Sequence, residues 1–182
     1  MNIIKYIDCD GVIFNTEEGL FDEYNELIKS NPTLKKSTYL QQLNWRDWLI
    51  SSGTINNSLE ILKKHDHNNV HILTKIHSLK EGTAKIEYFR ELGINNNIIL
   101  VPSNSKKSSI VRAAGNLLID DSPINLEDWD INNGIPIFFN PTGIETELSI
   151  SNNSYPSINS LEVVFSNKME EYCIKMRNIR KR

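Results

Sequence analysis

The chain has 182 residues, a formal net charge of −3 and two cysteines, Cys9 and Cys173. This length fits one domain, or one domain with a sizeable insertion, and it can bury a core without a disulfide scaffold. The small charge and scattered cations exclude the continuous basic surface of a dedicated nucleic-acid-binding protein, so no stable nucleic-acid partner is expected. No signal peptide and no run that could cross a bilayer is found, which favours a cytoplasmic protein with reduced thiols.

Five short apolar runs predict buried strands. Continuous runs, as opposed to alternating ones, suit a parallel sheet that is covered on both faces. The first run extends from Ile3 to Asp8, and the others are VHILT (70–74), IILV (98–101), NLLIDD (116–121) and IPIFF (135–139).

Helical patterns lie between these runs. Ser78 and Glu81 form a capping-box signature, apolar residues follow at helical spacing, and Gly93 marks the end. A further helix is predicted from about Ser105 to Gly115. The alternation of strands and helices is typical of right-handed crossovers, so the sequence predicts an open α/β sheet.

The connection between the first and second strands is too long for an ordinary crossover. About fifty residues separate them, on the order of ten times a usual loop. Apolar residues at helical spacing predict three helices there, among residues 20–28, 39–43 and 55–62. We therefore expect a small helical cap, residues 16–66, on a core domain of residues 1–15 and 67–182.

The C-terminal part is predicted to hold an irregular connector and one helix. After the last strand the chain is rich in Asn, Ser and Pro, which is typical of irregular structure. An amphipathic helix is then predicted from Leu161 to Ile179. Its basic end, MRNIRKR, is interpreted as a solvated terminus, where cations suit the helix dipole.

Acidic residues follow two of the predicted strands. Asp8 and Asp10 follow the first, and Asp120 and Asp121 end the fourth. These four should converge, because the ligand site of an open α/β sheet lies beyond the carboxyl ends of its strands. Four carboxylates in one place would raise each other's pKa values unless a cation were present. Mg²⁺ fits this need, with Asp8, Asp120 and a backbone carbonyl as ligands.

The same residues suit phosphoryl transfer. Asp8 is the candidate nucleophile, and Asp10 is the candidate acid and base of the two steps. Thr74, at the end of the second strand, and a lysine would bind the phosphoryl oxygens. Lys107 is preferred because it shares a helix face with apolar residues, while Lys106 is the alternative, since helix starts are uncertain by a residue or two.

Two other sets of residues are assigned no chemistry. Cys9 lies between two carboxylates, which suppress the thiolate, so it is interpreted as a buried filler. His65, His67 and His71 have no carboxylate or thiol to complete a zinc set, and HDHNN is interpreted as a polar turn.

The segments DCDGV, HILT, SKKSS and LLIDDS, in this order, resemble the four motifs of the haloacid dehalogenase-like (HAD) hydrolases. The resemblance spans residues 3–139 and implies a Rossmann-like parallel sheet flanked by helices, a cap after the first strand, magnesium and an aspartyl-phosphate intermediate. It implies that Asp8 is the nucleophile and Asp10 the acid and base, and that the threonine and the lysine bind phosphate. For the metal it implies Asp8, Asp120 and the backbone carbonyl of Asp10, with Asp121 in the outer shell.

The segments LLIDDSPINLEDW and GIPIFFNP and the helical cap are similar to those of the 5'(3')-deoxyribonucleotidases and their bacterial and phage-like relatives. This implies a nucleotide as the phosphorylated substrate. That group places an aromatic residue near the position of Thr16, so Trp45 and Trp48 are the candidates here for stacking on a base. Aromatic residues at this spacing are equally typical of a helix core. A phosphatase for another small metabolite or a nucleic-acid 3' end, and a non-catalytic binding protein, are the alternatives.

Overall fold

The computed structural model describes residues 3–16, 19–65, 69–143, 148 and 155–180. Its strands are β1 Lys5–Ile7, β2 Val70–Ile76, β3 Asn97–Pro102, β4 Leu117–Asp120, β5 Ile135–Phe139 and β6 Ser157–Ile158. They form one six-stranded sheet with the order β3-β2-β1-β4-β5-β6, and every pairing is parallel. The predicted α/β fold with a parallel sheet is therefore confirmed. The short β6 lies in the segment that was predicted to be irregular.

Apolar side chains cover both faces of the sheet, as the continuous apolar runs predict. Adjacent residues point to opposite faces, since Tyr6 and Leu118 belong to one core cluster and Ile7 and Ile119 to the other. Strand β1 is hydrogen-bonded to β2 on one side and to β4 on the other. The residues that follow β1 are therefore flanked by the carboxyl ends of both neighbours.

The helices pack around this sheet. They are α1 Leu20–Ser30, α2 Lys36–Gln42, α3 Trp45–Ser52, α4 Ser58–Lys64, α5 Leu79–Glu91, α6 Lys107–Ile110, α7 Pro123–Ile131 and α8 Asn167–Ile179, with a 3-10 helix at Leu161–Phe165. Helix α5 begins as predicted, because Ser78 Oγ accepts a hydrogen bond from the Glu81 N–H (3.1 Å). None of the helices in the described part of the chain has the length and apolar character needed to cross a membrane.

The helix predicted from about Ser105 to Gly115 is wrong in length, since α6 covers only four residues. Val111, which follows it, has an extended backbone with φ −132° and ψ 157°. The segment is rich in serine, whose hydroxyl competes with helical hydrogen bonds, and Ser109 Oγ indeed donates to the carbonyl of Lys106 (2.7 Å).

Two further helices differ from their predictions. The helix predicted from Leu161 to Ile179 is interrupted at Ser166, whose side chain accepts a hydrogen bond from Met169 N–H and so begins α8. Helix α7 was not predicted, although Pro123 at its first position, directly after Ser122, is a typical start signal.

The described residues between β1 and β2 form four helices, and α3 is the one that the apolar spacing did not separate. Helices α1, α2 and α3 share a small apolar cluster made by Leu20, Tyr39, Leu40 and Trp45. Helix α4 instead packs Ile61 and Leu62 into the main core cluster beside β1. The predicted boundary between residues 66 and 67 lies outside the described residues, and the division into cap and core domain stays a prediction.

Candidate active site

Predicted site residues come together at the carboxyl ends of β1 and β4. Asp8 directly follows β1, and its N–H donates to the carbonyl of Ile119 (3.0 Å). Asp120 is the last residue of β4, and Asp121 follows it. One carboxylate oxygen from each of Asp8, Asp120 and Asp121 lies within 4.8 Å of the others. The parallel pairing of β1 with β4 thus brings together three of the four acids that the sequence predicted to converge, while Asp10 is paired elsewhere.

Lys107 lies inside this group of carboxylates. Its side chain is fully buried, and Nζ is 2.9 Å from Asp8 Oδ1 and 2.7 Å from Asp120 Oδ2. The side chain of Lys106 is 73% exposed and pairs with Asp128 at 3.3 Å. The geometry therefore favours Lys107 of the two candidates. We call Asp8, Lys107, Asp120 and Asp121 the Lys107 cluster.

Asp120 is held from several sides. Asn125 Nδ2 donates to both of its oxygens (3.0 and 3.1 Å), and the Ser122 N–H donates to Oδ1 (2.9 Å). Asn125 is buried on α7, which places its amide beneath the end of β4. These contacts fix the orientation of a carboxylate that the sequence predicts to be a metal ligand.

Gly11 is required by a close approach to Asp121. Its φ is +70°, and a Cβ built on it would lie 2.0 Å from Asp121 Oδ2. Any side chain at this position would therefore displace the carboxylate, besides adopting a left-handed backbone conformation. The glycine of the DCDGV segment thus lets the loop after β1 lie against the acid that follows β4.

Burial raises the pKa of Asp8 to about 7; Lys107 lowers it, and the negative charges of Asp120 and Asp10 raise it further. The ionised form of Asp8 is thus costly in the chain by itself. Burial lowers the pKa of Lys107, but the two carboxylates outweigh this and raise it above its ordinary value. Three carboxylate oxygens at this spacing are the hard ligands that Mg²⁺ prefers, and a cation would stabilise the charge of Asp8. The donor set therefore fits magnesium.

Asp10 lies in a second buried group, which we call the Lys85 cluster: Asp10, Thr16, Thr74, Glu81 and Lys85. Asp10 Oδ1 accepts a hydrogen bond from Thr16 Oγ1 (2.8 Å), and Oδ2 accepts from Lys85 Nζ (2.6 Å) and lies 3.3 Å from Thr74 Oγ1. Lys85 Nζ also donates to Thr74 Oγ1 (3.1 Å) and to Glu81 Oε1 (2.7 Å). The Thr74 hydroxyl is therefore shared between Asp10 and Lys85, and its phosphate-binding role stays a prediction.

The electrostatics of the Lys85 cluster differ from those around Asp8. Burial raises the pKa of Asp10, but the charge and hydrogen bond of Lys85 and the hydroxyl of Thr16 outweigh it, so the pKa is lowered overall. Burial likewise lowers the pKa of Lys85, and Asp10 and Glu81 raise it well above its ordinary value. Asp10 is thus held as a carboxylate and Lys85 as an ammonium ion.

The two candidate stacking residues of the cap have different environments. Trp45 is 4% exposed, its Nε1 donates to the carbonyl of Leu40 (2.8 Å), and its ring lies 5.2 Å from Lys85 Nζ. Trp48 is half-buried, and its Nε1 donates to the carbonyl of Thr16 (2.9 Å). Stacking on a base stays a prediction for both, and Trp48 is the better placed of the two.

The residues that were assigned no chemistry have ordinary structural environments where they are described. Cys9 is fully buried, and burial, with the Asp10 carboxylate, raises the pKa of its thiol, so it is protonated. His65 stacks on Phe165, with ring centroids 3.7 Å apart. Burial lowers the pKa of His71, and His67 lies outside the described residues.

Comparison with known proteins defines the fold. No protein-family model and no curated protein matches the sequence. Among solved structures, a haloacid dehalogenase-like family hydrolase from Xanthomonas campestris is 9% identical, with a TM-score of 0.60 over 97% of this chain and 98% of that one. The fold is that of the HAD hydrolases.

Two other HAD-like structures agree with this assignment. The putative HAD-hydrolase YfnB from Bacillus subtilis, bound to magnesium, has a TM-score of 0.56 and 11% identity over 91% of this chain and 98% of that one. A beta-phosphoglucomutase from Clostridium difficile has a TM-score of 0.59 and 12% identity over 98% and 100%. Identities this low show the HAD fold alone. None of the three carries the name of a nucleotidase, so the narrower resemblance stays a hypothesis.

Four residues around the candidate site were not predicted to belong to it: Thr16, Glu81, Lys85 and Asn125. Glu81 was interpreted only as part of a helix cap. Lys85 lies four residues before the buried Phe89 and four after Glu81, so it falls on the inward stripe of α5. A lysine on an apolar stripe, one turn from an acid, was the signal that could have identified this pair.

Proposed function

We propose that the chain is a magnesium-dependent phosphomonoester hydrolase that forms an aspartyl-phosphate on Asp8. The observation that carries the proposal is the position of Asp8 in the Lys107 cluster. Its carboxylate is buried at the end of β1, and its Oδ1 accepts hydrogen bonds from Lys107 Nζ (2.9 Å) and Cys9 N–H (2.8 Å). The HAD-like fold supports the same chemistry.

Magnesium would be held by Asp8 and Asp120, with Asp121 beside them, and would supply charge neutralisation for the carboxylates and the substrate phosphate. Lys107 and the Thr74 hydroxyl are the proposed donors to the phosphoryl oxygens. The position of the Lys107 ammonium, between Asp8 and Asp120, supports this role.

In the first step an oxygen of Asp8 attacks phosphorus, and the bond from phosphorus to the leaving oxygen breaks. Because Oδ1 is engaged by two donors, we assign the attack to Oδ2. The leaving oxygen takes its proton from Asp10, which lies two residues further along the same loop. Asp10 is a carboxylate in the chain by itself, and the negative charge of a bound phosphate would raise its pKa so that it carries this proton. The products of this step are the alcohol and the aspartyl-phosphate.

In the second step the Asp10 carboxylate takes a proton from water, and the water oxygen attacks phosphorus. The bond between phosphorus and Asp8 breaks, so inorganic phosphate leaves and the Asp8 carboxylate is restored. Asp10 keeps the proton for the next cycle. The lowered pKa of Asp10 keeps it in the carboxylate form from which this step starts.

For the substrate we propose a nucleotide. The proposal is supported by the resemblance to the 5'(3')-deoxyribonucleotidases and by Trp48, which lies half-buried beside the linker that leads into the cap. An aromatic ring next to the phosphate site would stack on a base. Another small phosphorylated metabolite would be hydrolysed by the same Asp8 chemistry. The choice between a nucleotide and such a metabolite therefore depends on the helices between β1 and β2 alone.

A screen of phosphorylated metabolites tests both parts of the proposal. It includes 5'- and 3'-deoxynucleotides, sugar phosphates and p-nitrophenyl phosphate, each with Mg²⁺ and with EDTA, and Asp8→Asn serves as the blank. We expect Mg²⁺-dependent release of phosphate, highest for a nucleotide. A sugar phosphate as the best substrate would contradict the nucleotide assignment, and release that persists in Asp8→Asn or in EDTA would contradict the mechanism.

A further inference from the structure

Lys85 is a buried cation that the proposed chemistry does not use. It projects from α5, and its side chain has no exposed surface. Burying an ammonium ion costs several kcal/mol unless charges and hydrogen bonds compensate it. Its closest partners are the carboxylates of Asp10, at 2.6 Å, and Glu81, at 2.7 Å.

Three of the four groups that Lys85 contacts belong to the framework of β2 and α5. They are the Thr74 hydroxyl (3.1 Å), the Lys75 carbonyl (3.2 Å) and Glu81, one turn earlier on the same helix. Glu81 is itself fixed, because its Oε2 accepts a hydrogen bond from the His77 N–H (2.7 Å). The position of the ammonium is therefore set independently of Asp10.

Asp10 is the exception among the four partners, since it lies on the loop after β1. Its carboxylate is also the least enclosed of these groups, with 25% of the side chain exposed. A carboxylate on a loop has several rotamers available, whereas the ammonium beside it has a fixed place. The contact at 2.6 Å therefore fixes the carboxylate of Asp10, whereas Lys85 does not depend on Asp10 for its position.

Helix α3 covers Lys85 with the ring of Trp45. The Trp45 ring lies 5.2 Å from Nζ, within the range of a cation–π contact. Helix α3 is tied to α5 by a second contact, in which both guanidinium nitrogens of Arg46 donate to Glu91 at 2.8 and 2.7 Å. Shielding from water strengthens the contact between Lys85 and Asp10.

We propose that Lys85 is the positioning residue of the acid and base Asp10: it holds the carboxylate at the place from which a proton reaches the leaving oxygen. The inference rests on the proposed function, because Asp10 gives and takes a proton only in phosphoryl transfer. Replacing a purely structural lysine would lower the activity on all substrates to the same extent. A positioning lysine matters most where proton transfer limits the reaction.

The experiment compares two esters that differ in their need for an acid. Wild type, Lys85→Met, Lys85→Arg and the charge-balanced Lys85→Met/Glu81→Gln are assayed with p-nitrophenyl phosphate, whose leaving group needs no proton, and with 2-phenylethyl phosphate, whose alkoxide does. Lys80→Met is the control, since it makes the same substitution at an exposed position of the same helix. Crystal structures of wild type and the double variant record the position of Asp10, and thermal unfolding records the fold.

We expect kcat/KM for the alkyl ester to fall by about 10²-fold in both Met variants, the usual loss when an acid is misplaced or absent. The aryl ester should lose less than about tenfold, and Lys85→Arg, which keeps the charge, should recover part of the alkyl activity. In the double variant the Asp10 carboxylate should leave its position while Asp8 and Asp120 stay.

Equal losses on both esters, or an Asp10 that keeps its position without Lys85, would overturn the inference. If wild type hydrolyses neither ester, the proposed function fails, and the movement of Asp10 in the double variant then shows only that Lys85 holds this carboxylate in place. If the Met variants do not fold, Lys85→Arg decides by the same two esters: a loss larger on the alkyl ester than on the aryl ester supports the inference, and equal losses overturn it.

Discussion

Two buried lysines lie on either side of the loop that follows β1, and each bridges two carboxylates. The contacts are Lys107 to Asp8 and Asp120, at 2.9 and 2.7 Å, and Lys85 to Asp10 and Glu81, at 2.6 and 2.7 Å. In spite of this likeness, the pKa of Asp8 is raised to about 7 and that of Asp10 is lowered. The same pair of residue types thus produces opposite effects.

The difference lies in what else surrounds each acid. Asp10 receives hydroxyl groups in addition to Lys85, so its charge is satisfied by the chain itself. Asp8 is more costly to ionise because burial and the charge of Asp120 outweigh Lys107. The Lys107 cluster is therefore the one that a cation would stabilise, and the Lys85 cluster is the one that orients a group.

The largest effect should come from exchanging the two acids for their amides. Asp8→Asn cannot attack phosphorus, and we expect turnover of p-nitrophenyl phosphate to fall by at least about 10⁴-fold, the scale of losses at catalytic nucleophiles. Asp10→Asn keeps the nucleophile but has no base for the second step, so turnover should fall by about 10² to 10⁴-fold while phosphoenzyme accumulates. Acid quenching and mass spectrometry detect this adduct. Near-normal turnover of Asp8→Asn would show that the covalent mechanism is wrong.

Magnesium should act on one cluster and not on the other. Mg²⁺ at about 100 times its Kd should stabilise the wild type by about 2.7 kcal/mol, measured by denaturant unfolding, because it binds the folded chain. Asp120→Asn should lose this stabilisation, since it removes a carboxylate of the Lys107 cluster. Glu81→Gln, the matched change in the Lys85 cluster, should keep it. Stabilisation that survives in Asp120→Asn would place the metal elsewhere.

The two acids should also give opposite pH dependences of stability in EDTA. Asp8 has a folded pKa of about 7, above its ordinary 3.8, so its contribution is present at low pH and is lost as the pH rises towards 7. Asp10 has a lowered pKa, so its contribution is present above about pH 4 and is lost as the pH falls through the folded pKa.

Unfolding measurements from pH 4 to 8 on the wild type, Asp8→Asn and Asp10→Asn separate these contributions. The stability difference between wild type and Asp8→Asn should decline with rising pH by on the order of 1 to 4 kcal/mol, and Mg²⁺ should flatten the decline. The difference between wild type and Asp10→Asn should not decline over this range. A common slope for both variants would remove the contrast between the clusters.

The sequence predicted that Asp8, Asp120 and Asp121 lie close together because strand ends are visible in a sequence. An apolar run followed by an acid specifies both the strand and the edge of the sheet at which Asp8 and Asp120 meet. Lys85 was not predicted, since it belongs to no motif and its contact with Asp10 spans 75 positions of the chain. Side chains that reach a site from the inward stripe of a helix depend on how that helix packs.

The cap shows the same limit at short range. The spacing of Trp45 and Trp48 predicted a shared helix face, and α3 does begin at Trp45. Their environments nevertheless differ, because Trp45 is enclosed by α1, α2 and the ammonium of Lys85, whereas Trp48 lies against the linker at Thr16. Periodicity assigns residues to a helix but does not tell what each will pack against.

The smallest effect, and the one that decides the substrate, concerns Trp48. If its ring stacks on a base, Trp48→Ala should weaken kcat/KM for the nucleotide by roughly 1–3 kcal/mol and change that for p-nitrophenyl phosphate much less. Trp48 also donates to the carbonyl of Thr16, whose hydroxyl holds Asp10, so a loss on both esters would come through the Lys85 cluster. Trp48→Phe separates these causes, because it keeps an aromatic face and removes the N–H donor. Nucleotide activity retained in Trp48→Phe would support stacking. Equal losses in Trp48→Phe and Trp48→Ala on both substrates would mean that Trp48 only supports the linker at Thr16. The proposal of a nucleotide substrate would then be supported by the resemblance alone.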